Sequence, residues 1–136
     1  MRMIPSVNNL LTADLTLTVH PSKQHRMILD KNRIIRTCDS LEAVQQTVFK
    51  ILNTERYKHL IYSWNYGIEL ADLFGQPVTY ACPEIERRVT EALLQDDRIT
   101  GVDEFEFDTS KKSVVSVKFT VHTLFGDIQE EKVVNI

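Results

Sequence analysis

Four carboxylates near the middle of the chain are the residues best suited to acid–base chemistry: Glu69, Asp72, Glu84 and Glu86. A glycosidase needs two carboxyl groups about 5 to 10 Å apart across a cleft that binds a sugar. The aromatic rings of Trp64 and Tyr66 could line such a cleft. Acidic residues on amphipathic helices more often form the solvent-exposed face, and that interpretation is favoured. A peptidoglycan-cleaving glycosidase remains the alternative hypothesis.

Nucleophilic and metal chemistry have less support. Cys82 precedes a helical pattern, and a helix N-terminus lowers a thiol pKa, but a buried structural cysteine gives the same pattern and is favoured. Cys38 and Cys82 are expected to be free thiols, because nothing at the start of the chain indicates secretion. The histidines lack the spacing of metal ligands, and no CxxC pair, GxSxG motif or phosphate-binding loop is present. We predict no catalytic residue, no metal site and no cofactor.

The stretch IYSWNYGIELADLFGQP, residues 61–77, carries the only tryptophan and two of the four tyrosines. Trp and Tyr anchor many protein interfaces, and they also fill cores when their polar atom finds a partner. From the residues alone, core packing is favoured and an interface remains open. If the stretch serves an interface, we expect Trp64 to pack in the core beside Ile68, and Asn65, Tyr66 and the acidic helix that follows to face a partner.

A second charged spot, LLQDDRI, lies where a helical pattern ends and a strand pattern begins. Arg98 near a helix C-terminus is electrostatically favourable. Its guanidinium could also bind Asp96, Asp97 or a partner's carboxylate in a bidentate manner. Solvated charges at a helix end are an equally good interpretation.

The totals describe an ordinary soluble domain. The chain has 136 residues, 43% apolar and 26% charged, with a formal net charge of −3. This balance argues against nucleic acid as the main partner, because binding phosphates needs clustered Lys and Arg. No apolar run approaches the roughly 20 residues of a membrane span, so no membrane partner is expected.

The elements that must position these residues begin with strands. Residues 1–13 are predicted to form an extended arm, and residues 14–37 to form N-terminal strands. Within the latter, DLTLTVH alternates apolar and polar residues with period two, and HRMILDKNRIIRT reads as two strands around a turn at residues 30–32.

Two main helices follow. Asp39 is a good N-cap, Glu42 would complete a capping box, and Asn53 would end the first helix. The second helix is predicted to start at Pro83, a favourable first helical position. Between them, a short helix is expected to stop at Gly75.

The last third is rich in strands. Apolar residues alternate in SVVSVKFTVHT, and the pair Gly126-Asp127 fits a tight hairpin before IQEEKVVNI. We therefore predict one domain over residues 1–136 of the α+β class. A C-terminal three-stranded antiparallel meander would pack against two main helices within residues 38–136, with a small N-terminal β region.

The order of these parts resembles a known family. The run LADLFGQP, PEIERRVTEALL, DDRITGVDEFEF and a hairpin is similar to the small baseplate wedge proteins of contractile phage tails. That family was long labelled lysozyme-like and is now regarded as sheath initiators. The resemblance covers roughly residues 56–136, while residues 1–55 match a narrower group from defective prophages. The family's Glu-Pro-Arg motif corresponds to Asp96-Asp97-Arg98 here, without the proline.

The resemblance implies a structural assembly protein rather than an enzyme. Its partners would be other baseplate wedge proteins and sheath subunits, with no small-molecule substrate. It would act in the bacterial host cytoplasm during assembly and in the baseplate of the finished particle. Partner contacts would involve Asn65, Tyr66, Asp96 and Arg98. Sheath segments would add to an open sheet edge, which the cluster Glu130, Glu131 and Lys132 either guards or matches in charge.

Overall fold

The computed structural model describes residues 22–136, which form seven main elements. In chain order they are β1 (Gln24–Ile28), β2 (Arg33–Cys38), α1 (Ser40–Leu52), α2 (Val78–Leu93), β3 (Ile99–Asp108), β4 (Val114–Thr123) and β5 (Gly126–Asn135). Strands β1 and β2 form an antiparallel hairpin, and β3-β4-β5 form an antiparallel meander. The α+β architecture is as predicted. The expected arm at residues 1–13 and strand at 14–20 lie outside the described residues.

The core lies between the meander and the two helices. Val115, Val117, Phe119 and Val121 alternate along β4 and are buried, as the period-two pattern predicts. Helix α1 lies over the β5 side of the sheet and α2 over the β3 side. Each fully buried aliphatic side chain contributes about 1.5–3 kcal/mol, so this single layer supplies most of the stabilisation.

Helix α1 begins and ends where the sequence predicts, but its capping differs. The Asp39 carboxylate accepts a hydrogen bond from the Ser40 N–H at 2.7 Å, and Asn53 is the C-cap residue. The predicted capping box is wrong in its second half. Glu42 binds the Arg26 guanidinium at 2.9 Å, which ties the helix to β1.

Helix α2 begins one turn earlier than predicted. It starts at Val78, with Pro77 as N-cap, and Pro83 lies inside it. Ala81 explains the difference, because it is completely buried and lies one turn before the buried Ile85. Packing of this additional turn against the core outweighs the one backbone donor that Pro83 lacks.

The β4–β5 turn also differs from the prediction. Thr123 pairs with Gly126, so the two loop residues are Leu124 and Phe125, not Gly126-Asp127. The Thr123 hydroxyl accepts from the Phe125 N–H and donates to the Gly126 carbonyl. Phe125 packs against the core, which fixes this register. Gly126 has φ +136°, so the glycine opens β5 rather than forming the turn.

Candidate protein-interaction surfaces

An exposed aromatic loop, residues 56–66, projects from the end of α1. Trp64 is 82% exposed and Ile61 is 85% exposed, so the prediction that Trp64 packs in the core is wrong. Ile68, which was also expected in the core, is buried there and 2% exposed. Gly67 has φ +91°, and the Thr54 carbonyl oxygen lies 2.6 Å from where a Cβ would stand. This close approach turns the preceding side chains away from the core.

The aromatic loop is internally ordered. The Arg56 N–H and the Ile68 N–H close its base with backbone hydrogen bonds to the Ile68 and Thr54 carbonyls. The Arg56 guanidinium donates to the Trp64 carbonyl at 2.8 Å. The Tyr57 and Trp64 rings meet edge to face at 6.3 Å. These contacts hold a large exposed apolar surface in place, and exposed apolar patches of this kind are typical of interaction sites.

The predicted contact residues of this loop have different environments. Asn65 is exposed, as expected. Tyr66 is half-buried, stacks on Tyr62 with 4.6 Å between ring centroids and packs against the core. Burial raises the pKa of the Tyr66 hydroxyl. Tyr66 therefore supports the loop from below, and Trp64 takes the outward position.

The other two predicted contact residues, Asp96 and Arg98, bind each other. The Arg98 Nε and Nη2 donate to the two Asp96 carboxylate oxygens at 3.0 and 2.7 Å. Nη2 also donates to the Thr47 hydroxyl on α1 at 3.1 Å. Burial opposes the charge on Asp96, but the hydrogen bonds from Arg98 outweigh it and the pKa of Asp96 is lowered. The side chains are 13% and 18% exposed, so this pair braces α1 against the start of β3.

Two of the four carboxylates considered for a glycosidase, Asp72 and Glu84, are bound by arginines. The Arg88 guanidinium contacts Asp72 at 3.0 Å and Glu84 at 3.2 Å, and Arg87 contacts Glu84 at 2.8 Å. The hydrogen bond from Arg88 lowers the pKa of Asp72, and that from Arg87 lowers the pKa of Glu84. A glycosidase acid needs a raised pKa. These ion pairs instead fasten residues 69–72 to α2.

The remaining candidates offer no reactive centre in the described part of the chain. Cys38 and Cys82 are free thiols, as predicted, and burial raises the pKa of Cys82. Across residues 22–136 no three His, Cys, Asp or Glu side chains lie close enough together to hold a metal ion. None of the helices in that range has the length and apolar character needed to cross a bilayer.

The meander has two outer edges, β3 and β5, which differ in the regularity of their pairing with β4. Within residues 22–136 no strand pairs with the free side of β3 or β5. The register of β3 shifts twice, and Glu104 has φ +56° at the second shift. Strand β5 instead pairs with β4 in unbroken register from Gly126 to Asn135. Bulges are a common way to protect an edge, so β5 is the more regular and less protected of the two edges.

Comparison with known proteins places this geometry in a family. Residues 19–126 match the model of a family described as contractile injection system sheath initiator. The chain belongs to the sheath-initiator family. It is also similar to the phage-like element PBSX protein XkdS of Bacillus subtilis strain 168. The two are 36% identical over 120 residues, which cover 85% of this chain and 84% of the relative.

Membership in the sheath-initiator family supports a structural role in phage-tail assembly and a place in the baseplate. The match begins at residue 19, so the β1–β2 hairpin and α1 belong to the family pattern as well. The family resemblance was expected to begin at about residue 56, so the expected range was too short. Sequence reasoning also missed Leu60 and Ile61, which are exposed. The signal was present, because RYKHLIYSW interleaves basic and aromatic residues with neither a helical nor a strand period.

Proposed function

We propose that this sheath initiator receives the first sheath subunits by adding an extended segment of the sheath to the outer edge of β5. Other baseplate wedge proteins bind the aromatic loop around Asn65 and Tyr66, and the surface beside Asp96 and Arg98. Assembly takes place in the bacterial cytoplasm, and the finished particle keeps the protein in its baseplate. The regular edge of β5 is the observation that carries the proposal.

The direction of the backbone groups on β5 follows from one hydrogen bond. The Ile136 N–H donates to the Ser113 carbonyl at 3.0 Å, just beyond the pair Val114 and Asn135. In an antiparallel ladder, alternate residues direct their backbone groups to the same neighbour. The residues that bond to β4 are therefore Val134, Lys132, Glu130 and Ile128. Those with outward N–H and C=O groups are Asn135, Val133, Glu131, Gln129 and Asp127.

These outward groups can form main-chain hydrogen bonds with a new strand, which is the usual basis of affinity in β-augmentation. Replacing Gln129 by proline removes one outward donor without removing a bond to β4, and edge strands tolerate proline at such positions. We expect Gln129→Pro to abolish or strongly reduce sheathed particles, counted by electron microscopy. Gln129→Ala is the control and should assemble normally. Normal sheathing of the proline variant would refute edge addition at β5.

The glycosidase hypothesis has no comparable support. Both Asp72 and Glu84 have lowered pKa values, because arginines hydrogen-bond to them. Incubation of purified protein with cell walls should leave their turbidity unchanged. A turbidity decrease that disappears in Glu69→Gln or Glu84→Gln would overturn the assembly proposal.

A further inference from the structure

The inner face of β5 carries two opposite charges. Glu130 lies opposite Phe119 and Lys132 lies opposite Val117, so both face the helices rather than the solvent side of the sheet. Glu131, between them, lies opposite Lys118 on the outer face. The predicted three-residue charge cluster is therefore divided between the two faces.

Both inward charges are half-buried. Burial raises the pKa of Glu130, and Gln45 on α1 provides a hydrogen bond that partly opposes this effect. Burial lowers the pKa of Lys132, the negative charge of Glu55 partly opposes this effect, and the Lys132 Nζ donates to the Asn53 amide oxygen at 3.2 Å. Each charge is thus incompletely compensated in residues 22–136, and an additional opposite charge beside it would be favourable.

Two depressions lie along the open side of β5. The first, about 310 Å³, is lined by Met27, Leu29, Gln45, Phe49 and Glu130. The second, about 360 Å³, is lined by Leu70, Phe74, Lys132 and Val134. Phe74 is 74% exposed beside the second depression. The inward side chains of a strand added to β5 would enter these two spaces.

The alternation of hydrogen-bonded and non-hydrogen-bonded pairs along β5 brings the side chains of an added strand close to Glu130 and Lys132. Because Glu130 and Lys132 bond to β4, an antiparallel strand on the other side would meet them in non-hydrogen-bonded pairs. In these pairs the Cα atoms are about 4.5 Å apart and the side chains are in closest contact. Ile128 and Val134, at either end, are buried and would meet apolar residues.

We propose, building on edge addition at β5, that the added segment of the partner carries a basic residue opposite Glu130 and an acidic residue opposite Lys132. Apolar residues lie opposite Ile128 and Val134. The recognised pattern is seven residues long, with apolar, charged, oppositely charged and apolar side chains at alternate positions. A segment with two like charges places one of them against a half-buried like charge and is rejected.

The N-terminal part of this chain does not fit the pattern. Residues 1–21 contain no acidic and basic residues two positions apart: the charged residues are Arg2 and Asp14, and His20 lies six positions after Asp14. A partner's segment is therefore a better occupant of the edge than the N-terminal part of this chain. A second copy of β5 fits the inward positions only in a register that brings the two Glu131 side chains opposite each other, which is unfavourable.

Three synthetic peptides test the proposal. They share valine at the first and seventh positions and threonine at the even positions. The mixed peptide carries Glu at the third position, opposite Lys132, and Lys at the fifth, opposite Glu130; the other two carry two Lys or two Glu at these positions. We expect the mixed peptide to bind the purified protein about tenfold more tightly than either like-charged peptide, which corresponds to about 1.4 kcal/mol. Fluorescence anisotropy of labelled peptides measures this difference at low salt, where charge effects are largest.

Variants of β5 provide the controls. Glu130→Lys should shift the preference to the peptide with two Glu, and Lys132→Glu to the peptide with two Lys. Glu131→Lys makes the same charge change on the outer face and should leave the preference for the mixed peptide. If all three peptides bind equally and Gln129→Pro abolishes their binding, the charge pairing is overturned and edge addition stands. No binding of any peptide would overturn both.

Discussion

His122 joins all three strands of the meander at one residue. Its Nδ1 lies 2.7 Å from Asp127 on β5, and its Nε2 lies 2.7 Å from Asp103 on β3. The hydrogen bond with Asp127, followed by that with Asp103, raises the pKa of His122. A raised folded-state pKa means that the protonated ring stabilises the fold below the unfolded pKa of about 6.5. This contribution is lost as the pH rises through the folded-state value.

We therefore expect the melting temperature to fall between pH 6 and pH 8 by more in the native protein than in His122→Gln. Thermal unfolding followed by circular dichroism at several pH values measures the difference. His59→Gln is the matched control, since His59 makes no ion pair within residues 22–136 and its ring lies edge to face with that of Tyr62. Identical pH profiles for the native protein and His122→Gln would contradict the assigned role.

Arg98 has a structural role that precedes any role in docking. Removing its guanidinium leaves the half-buried Asp96 carboxylate without its bidentate partner and removes one of the hydrogen bonds that the Thr47 hydroxyl accepts. We expect Arg98→Ala to lower the free energy of unfolding by about 1–3 kcal/mol, measured by urea denaturation. The double variant Asp96→Ala/Arg98→Ala should be less destabilised than the sum of the two single variants.

A docking role of Arg98 can be distinguished from its effect on stability by testing assembly at a temperature where the variant is folded. Particle assembly by Arg98→Ala should still be impaired at a temperature where the variant is folded. Asp97→Asn, which alters the exposed neighbour, is the control for a general charge effect. Sequence alone identified the charged pair but not Thr47, because that contact spans 51 positions along the chain.

At the scale of elements, the aromatic loop shows that a local sequence pattern does not always predict which side chains are buried. Trp64 and Ile68 are both reasonable core residues by composition. The choice between them depends on the approach of Gly67 to the Thr54 carbonyl, a contact between separate segments. The observed start of α2 and the observed β4–β5 turn differ from the predicted positions for the same reason. Burial of Ala81 sets the helix start, and packing of Phe125 sets the turn. By contrast, β4 was predictable because its alternation is local and regular.

The exposure of Trp64 predicts a separation of function from stability. Trp64→Ala should change the free energy of unfolding by no more than about 0.5 kcal/mol, as is usual for surface positions. Ile68→Ala should cost about 2–5 kcal/mol, because it leaves a cavity in the core. Urea denaturation measures both values, and electron microscopy of particles measures assembly. Normal particle yield with Trp64→Ala would argue against docking through the aromatic loop.

At the scale of the whole molecule, packing and ion pairs account for the inner surfaces. The helices cover the inner face of the meander, and ion pairs such as Arg88 with Asp72 satisfy charges around α2. In the proposed function, the aromatic loop and the surface beside Asp96 and Arg98 bind neighbouring baseplate proteins, and the β5 edge binds an incoming strand. Separate surfaces would let the protein hold a fixed position while it starts a new layer.

The two inward charges on β5 restrict how a second copy of the same edge can pair with it. Antiparallel pairing places Glu130 opposite Lys132 only in the register centred on Glu131, which brings the two Glu131 side chains opposite each other, and other registers leave a half-buried charge unmatched. Replacing both inward charges, in Glu130→Val/Lys132→Val, makes the inner face apolar from Ile128 to Val134, completes contact with Phe119 and Val117, and removes this restriction. The variant should therefore melt at a higher temperature and self-associate more strongly than the native protein. Sedimentation velocity measures association, and Gln129→Val on the outer face is the control that retains all three charges. A more stable double variant that stays monomeric would mean that something other than these charges protects the edge.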